Sequence, residues 1–315
     1  MRIIFCGSGT FALVTLEALI ESNHEVVAVV TQPPRKAGRG SKLRATPVEI
    51  ACQQHGIEVF PCEDINAPSS VEYLQFKKPD VICVVEYGQF LRKAVREIPT
   101  IDTFNLHGSV LPELRGAAPV NWAILRGDKT AGVSTFSLVD KMDAGPVYLT
   151  DEIKLDSDER ADSLREKLAQ LGARTVLRTL DQFAAGTAKA IEQDSTEATF
   201  APRMKKSDGI LNFDLPAEHL DRIIRGTWPW PGAQAEFRRL NGKVIPVTIA
   251  KARVVDSISD VEPGLIEPDL CIATGEKRLE ILEIKPAGKR LMTWKDFCNG
   301  YRVKHGGRFC APERK

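Results

Sequence analysis

Residues 102–119, with the sequence DTFNLHGSVLPELRGAAP, begin as a strand and continue as an irregular loop. Because side chains alternate between the two faces of a strand, Asn105 and His107 share one face. The glycine and serine that follow end the strand, and Pro119 stands where a proline is tolerated, in the first turn of a helix. An amide and an imidazole are therefore expected together at the carboxyl end of a strand. In an open α/β sheet, ligands bind at that edge.

The length of 315 residues favours two domains, and a formal net charge of +1 points to no class of partner. The seven cysteines are scattered and never spaced as C-x-x-C. They predict reduced thiols in a cytoplasmic protein, with neither a disulfide frame nor a metal site. The apolar run at the N-terminus predicts a strand and is too short for a signal peptide or a membrane helix.

Apolar strands alternate with helices over the first part of the chain, which predicts a doubly wound parallel sheet, an α/β fold, over residues 1–190. The turn from Gly7 to Ala12 matches the dinucleotide fingerprint G-x-G-x-x-A. The second strand ends at Thr31 without the acid that a ribose hydroxyl needs, so a plain strand-turn-helix is preferred. The predicted strands are 2–6, 24–31, 58–60, 80–85, 103–106, 131–138 and 147–153. The first predicted helix follows the turn at Gly7 to Ala12 and runs to about residue 21, and the other main predicted helices are 48–55, 70–76, 120–126 and about 160–185.

The chain changes character after the last of these helices. Residues 191–208 are polar and lack periodicity, which predicts a linker. After a short helix at 215–226, short β segments are separated by turns, and Asn241-Gly242 is a strong hairpin signal. This pattern predicts a smaller OB-like β-barrel over residues 209–315.

A basic loop, PPRKAGRGSKLRATP, occupies residues 33–47 and contains no acid. Its prolines and glycines argue against a helix, so its cations are expected on a flexible segment. Such uncompensated charge suits a phosphate backbone, and nucleic-acid contact is preferred over the alternative of a solvated basic loop. The candidate contacts, with two lysines from the predicted linker, are Arg35, Lys36, Arg39, Lys42, Arg44, Lys205 and Lys206.

Asn105 and His107 are the candidates for catalysis. An amide can donate to an oxygen that becomes negative, and an imidazole, with an unperturbed pKa of about 6.5, exchanges protons near neutral pH. The alternative is a core pair that the backbone satisfies. A third group is expected from residues 139–146, where Asp143 is preferred over Asp140 because it begins a tight turn, although turn chemistry alone would explain either aspartate.

Such an Asn-His-Asp set, without a serine or cysteine in an obvious nucleophile elbow, predicts direct transfer. An amine attacks a carbonyl carbon, the amide and the imidazole hold the oxyanion, and a base removes the proton of the amine.

The motifs N-L-H-G-S-V-L-P-x-x-R-G-A-A-P and D-x-x-D-A-G-P are together similar to those of the folate-dependent formyltransferases, and the likeness extends over nearly the whole chain. The basic loop, with IKPAGKRLMTWKDFCNGYR near the C-terminus, resembles the branch of the family that formylates initiator methionyl-tRNA in translation initiation. The resemblance implies a Rossmann-like domain, an OB-like tRNA-binding domain, and 10-formyltetrahydrofolate as formyl donor without a metal.

Residue by residue, the resemblance places catalysis on Asn105, His107 and Asp143. It implies that the basic loop enters the acceptor arm of the tRNA. Three departures occur: Gly9 and Arg92 stand where the family has proline, and Glu86 stands where it has alanine. The implied folate-binding residues are Ser109, Val110, Leu111, Pro112, Glu86, Tyr87, Gly88 and Phe90.

Two other functions stay open at this point. The same trio could formylate an amino sugar carried on a nucleotide. A Rossmann-like protein that binds a nucleotide or RNA without catalysis is the second. For the formyltransferase that acts on tRNA, a monomer is expected.

Overall fold

The computed structural model describes residues 1–37 and 42–312. Up to residue 201 the elements are β1 (Arg2–Gly7), α1 (Thr10–Ile20), β2 (Glu25–Thr31), β3 (Arg35–Ala37), β4 (Lys42–Arg44), α2 (Pro47–His55), β5 (Val59–Pro61), α3 (Pro68–Phe76), β6 (Val81–Val85), α4 (Lys93–Arg96), β7 (Asp102–His107), β8 (Arg115–Gly116), α5 (Pro119–Arg126), β9 (Thr130–Ser137), β10 (Val147–Lys154), α6 (Ala161–Ala184) and β11 (Phe200–Ala201).

The remaining elements are a 3₁₀ helix (Lys206–Gly209), α7 (Ala217–Thr227), β12 (Ala233–Arg238), β13 (Val244–Val255), β14 (Ile272–Ala273), β15 (Arg278–Pro286), β16 (Met292–Thr293), α8 (Trp294–Tyr301) and β17 (Arg308–Cys310). The chain forms two compact units. The first comprises Met1–Pro119, Thr130–Lys154 and Arg165–Pro202, and the second comprises Val120–Lys129, Leu155–Leu164 and Arg203–Lys315.

The first unit is built on a seven-stranded sheet with the order β10-β9-β7-β6-β1-β2-β5. The five strands from β5 to β7 are parallel, and the central strand β6, with the sequence VICVV, is fully buried as a covered parallel strand requires. The predicted α/β class is confirmed. The edge differs in detail, because β9 and β10 run antiparallel. The loop that joins them is too short for the crossover that a parallel pair needs.

The two ends of the basic loop form a short antiparallel pair that the sequence does not predict. Strands β3 and β4 pair with Arg35 opposite Arg44, and the flexibility of the loop stays a prediction. Local pairing satisfies backbone groups that an irregular loop would leave to water. Arg39 lies outside the described residues, as do the side chains of Lys36 and Lys42.

The second unit contains the predicted barrel. Its antiparallel sheet has the order β14-β15-β13-β12-β17, and β16 pairs with β15. Bridges from Leu265 to Arg308 and from Ile266 to Ile272 connect the two edge strands and nearly close the barrel. Its core includes Phe237, Phe297, Phe309, Ile249 and Leu279. Strand β17 was not predicted, since its arginine-flanked sequence is typical of a basic tail.

All seven cysteines are free thiols, and six are buried. Burial raises the pKa of Cys52, Cys271 and Cys298 to about 11 each, so these thiols stay protonated near neutral pH. Among the helices of the described residues, none has both the length and the apolar character that crossing a bilayer requires.

Candidate active site

His107 is the last residue of β7, and the residue is 6% exposed. Its Nε2 lies 2.9 Å from the carbonyl oxygen of Leu114. A carbonyl oxygen only accepts, so Nε2 must carry the proton and donate it. The other ring nitrogen, Nδ1, therefore remains for chemistry.

Asp143 faces that nitrogen. Its Oδ2 lies 4.0 Å from Nδ1 of His107, which is near enough for attraction and too far for a direct hydrogen bond. The same Oδ2 accepts a hydrogen bond of 2.8 Å from the backbone N–H of Gly116. The backbone of Asp143 is left-handed, with φ of 52°, which brings its side chain back over the sheet. Asp140, the alternative aspartate, is 85% exposed and pairs with Arg96.

Asn105 lies in the middle of β7, two residues before His107 and on the same face of the strand. It pairs in register with Val84 on one side and Phe136 on the other. Its side chain is half-buried, whereas His107 is buried. The strand thus supplies an amide and an imidazole from rigid backbone, and the loop before β10 supplies the carboxylate.

The short strand β8 and the residue before it, Leu114, hold this arrangement through three successive residues. Leu114 accepts from His107, Arg115 extends a buried guanidinium that is 2% exposed, and Gly116 donates to Asp143. Gly116 has φ of +124°, and an added Cβ would lie 2.6 Å from the carbonyl oxygen of Ala201. Only glycine fits here, because both the backbone conformation and the close approach exclude a side chain.

The predicted folate segment, Ser109 to Pro112, follows β7 directly. The Ser109 hydroxyl donates to the carbonyl of Glu113 at 2.6 Å, so it shapes the loop. Ser134 accepts from the N–H of Leu111 and donates to the carbonyl of Ser109. Leu111 is buried, whereas Val110 and Pro112 are half-buried. These two side chains are the ones that a ligand could contact without rearrangement.

The second predicted folate segment follows β6, and some of its residues are buried whereas others are exposed. Tyr87 is 2% exposed within the core cluster that includes Cys62 and Leu91, so its ring is a core group and only its backbone could meet a ligand. Gly88 and Phe90 are exposed.

The Gln89 side chain fixes this second segment. It accepts from the N–H of Ile65 and donates to the carbonyls of Cys62 and Glu63. Arg92, one of the departures from the family pattern, is exposed, and its N–H donates to Asn66.

Glu86 occupies the dinucleotide-like turn. Its carboxylate lies directly against Gly9, which precedes the first turn of α1, and pairs with Arg165. The Arg165 guanidinium in turn stacks over the ring of Phe11, 5.3 Å from its centroid. In a dinucleotide-binding turn the pyrophosphate approaches the helix N-terminus. Here the negative charge beside the helix N-terminus comes from Glu86 of the protein itself.

Sequence reasoning missed Arg115 and Gln193. The Gln193 side chain accepts from Nε and Nη2 of Arg115, and its own Nε2 donates to the carbonyls of Asp143 and Gly145. Gln193 lies in the polar segment that was predicted to be a linker. Its only sequence signal was the absence of periodicity, which gives no hint of a hydrogen bond to a residue 78 positions earlier.

The formyl transferase family matches residues 1–180, and its C-terminal domain matches residues 203–302. The chain therefore belongs to the formyl transferase family. A relative from Agathobacter rectalis named methionyl-tRNA formyltransferase is 39% identical over 98% of this chain and 99% of its own length. A relative of the same name from Herpetosiphon aurantiacus is 40% identical over 95% of this chain and 98% of its own length.

Solved structures share the fold at lower identity. HypX from Aquifex aeolicus in complex with tetrahydrofolic acid is 19% identical, with a TM-score of 0.64 over 96% of this chain and 47% of that chain. The N-formyltransferase from Helicobacter canadensis in complex with folinic acid and dTDP-3-aminofucose is 14% identical, with a TM-score of 0.63 over 92% of this chain and 100% of that chain.

Proposed function

We propose that the chain transfers a formyl group from 10-formyltetrahydrofolate to the α-amino group of methionine on initiator tRNA. The observation that carries the proposal is the identity of 39% over 98% of the chain to a relative named methionyl-tRNA formyltransferase. The convergence of His107 and Asp143 supports the chemistry. A role in translation initiation, a cytoplasmic location and a monomeric state belong to the same proposal.

In the proposed reaction, the amine nitrogen bonds to the formyl carbon and the C=O π electrons move to oxygen. The folate C–N bond then breaks as the carbonyl re-forms, and the departing nitrogen takes up a proton. Asn105 and the Nδ1–H of a protonated His107 donate to the oxygen while it is negative. The positive ring is stabilised by the carboxylate of Asp143.

In this scheme Asp143 also assists the transfer of the proton that the amine loses. The 4.0 Å gap to His107 leaves Asp143 able to hold a water beside the ring. The proton lost by the amine passes through that water and is returned to the folate nitrogen. At the end of the cycle the protein has therefore neither gained nor lost a proton.

The folate is proposed to lie along the two segments that follow β6 and β7. Gly88 and Phe90 offer exposed surface on one segment, and Val110 and Pro112 offer half-buried surface on the other. Such mostly apolar walls with few polar groups suit a pteridine ring. Glu86, held by Arg165, contributes to the rim of this site, and Ser109, Leu111 and the Tyr87 backbone maintain its shape.

The tRNA is proposed to contact the basic hairpin and the second unit. Arg35 donates to Gln32, and Arg44, Lys205 and Lys206 are exposed. Lys36, Arg39 and Lys42 complete the set by their position in the sequence. On the barrel, a cavity of about 220 Å³ is lined by Arg239, Arg302 and Lys304 among others, which suits a backbone phosphate.

The alternative acceptor is an amino sugar on a nucleotide, because the N-formyltransferase from Helicobacter canadensis, which shares the fold, is in complex with dTDP-3-aminofucose. The full chain should be incubated with 10-formyltetrahydrofolate and either methionine-charged initiator tRNA or a dTDP-amino sugar. Formylmethionyl-tRNA in the first reaction alone is expected. Product in the second reaction alone would overturn the acceptor, and product in neither would overturn the catalysis.

A further inference from the structure

The polar segment 191–201 contacts the site in the first unit through a few of its residues. Ile191 and Val147 exchange two backbone hydrogen bonds of 2.8 Å, just beyond the loop that carries Asp143. At its other end, Thr199 accepts from the N–H groups of Leu114 and Arg115, and β11 pairs with β8. The segment therefore touches both pieces of chain that hold the His107–Asp143 pair.

Gln193 lies between these two anchor points and uses its whole amide. The oxygen accepts 3.1 Å and 2.7 Å hydrogen bonds from Nε and Nη2 of Arg115. The nitrogen donates 3.0 Å and 2.6 Å hydrogen bonds to the carbonyls of Asp143 and Gly145. Only a group with an acceptor at one end and two donors at the other fits, and a carboxylate would repel both carbonyls.

The contact between Gln193 and Arg115 both stabilises a buried cation and fixes the backbone on either side of Arg115. Arg115 is buried, and a buried cation needs partners to offset the loss of water. Its two neighbours in the chain hold His107 and Asp143. Gln193 thus connects the backbone of the Asp143 turn to Arg115, which lies between Leu114 and Gly116 in the chain.

We propose that Gln193 is a positioning residue that fixes the separation of His107 and Asp143 by joining the Asp143 turn to Arg115. The inference rests on the proposed function of these two residues. It extends the site to a segment that no local motif marks, and it predicts that loss of Gln193 lowers turnover and leaves substrate binding almost intact.

The test measures single-turnover and steady-state formyl transfer by Gln193→Ala and Gln193→Glu. A misplacement of about 1 Å can cost about 100-fold, so a fall in kcat of about 10- to 100-fold is expected in both variants, with KM changed less than about 3-fold. Gln193→Glu keeps the acceptor for Arg115 and loses both donors, so it should not restore activity. Glu192→Ala, an exposed neighbour on the same segment, should match wild type.

A double-mutant cycle with Asp143→Asn separates positioning from general damage. If Gln193 acts through Asp143, Gln193→Ala should add less than about 3-fold in the Asp143→Asn background. An additive loss, a kcat within about 2-fold of wild type, or a restored Gln193→Glu would overturn the inference. The assay uses whichever acceptor wild type formylates, so a wrong acceptor leaves the inference testable, whereas an active Asp143→Asn variant would overturn the proposed site itself.

Discussion

The imidazole of His107 is held at one nitrogen and open at the other. The carbonyl of Leu114 accepts a hydrogen bond from Nε2, and the 4.0 Å separation from Asp143 leaves Nδ1 available to a substrate oxygen or a water. A shorter contact would pair the two groups with each other and remove both from the reaction. The geometry therefore suits a pair that exchanges protons through a third species.

His107→Asn and Asp143→Asn should each lower kcat by about 10²- to 10⁴-fold, because each removes acid-base or oxyanion help. Formyl transfer under single-turnover conditions measures the change. Asp140→Asn is the matched control, since its side chain is 85% exposed and pairs with Arg96. A control as impaired as Asp143→Asn would contradict the choice between the two aspartates.

Asp102, at the start of β7, gives the molecule a pH dependence of stability. Burial raises the pKa of Asp102, although Tyr148 and Ser137 donate to its carboxylate. The folded state therefore holds this proton more tightly than the unfolded state. The contribution of Asp102 to stability falls as the pH rises from the unfolded pKa, near 4, through the higher folded pKa.

Asp102→Asn removes this titration and keeps an acceptor for Tyr148. The free energy of unfolding of wild type, relative to the variant, should fall with rising pH above about pH 4 and then level off. Urea unfolding of both proteins from pH 4 to pH 8 measures the difference. A difference that does not change with pH would contradict the raised pKa.

Among the elements, β8 and β11 are the shortest pair in the first unit and lie next to the site. Gly116→Ala should lower the free energy of unfolding by about 2 to 4 kcal/mol, because it adds a backbone clash to an unfavourable φ. Urea unfolding measures the loss. Gly186→Ala, at φ of +64° with open space around it, isolates the backbone term and should cost about 1 kcal/mol. Equal losses in the two variants would argue against the clash with Ala201.

The sequence predicts most elements well and the contacts between distant segments poorly. The apolar strands, the long helix α6 and the hairpin at Asn241-Gly242 carry strong local patterns, and the structure contains them. The two residues of β8 and of β11 carry no period, so their pairing is invisible locally. Gln193 belongs to the same class, because its function depends on a partner 78 positions away.

At the scale of the whole molecule, substrate size separates the proposed acceptor from its alternative. If tRNA contacts Lys205 and Lys206, their joint replacement by alanine should reduce the dependence of log affinity on log salt by about one for each phosphate that the protein no longer neutralises. Filter binding with initiator tRNA across a salt series measures the slope. Lys93→Ala, at an exposed lysine paired with Glu97, serves as the control and should leave the slope unchanged. An unchanged slope in the double variant would remove these lysines from the interface.

The support that Leu114 and Gly116 give to the reacting groups comes from their main-chain atoms. Replacing a side chain at position 114 leaves that support in place, whereas inserting or deleting one residue there moves a carbonyl or an N–H by a full peptide unit. The number of residues in this turn is therefore as strict a requirement as the glycine at position 116, whereas the side chain at position 114 gives no hydrogen bond to either group. A change of length would present different backbone groups to the ring and the carboxylate.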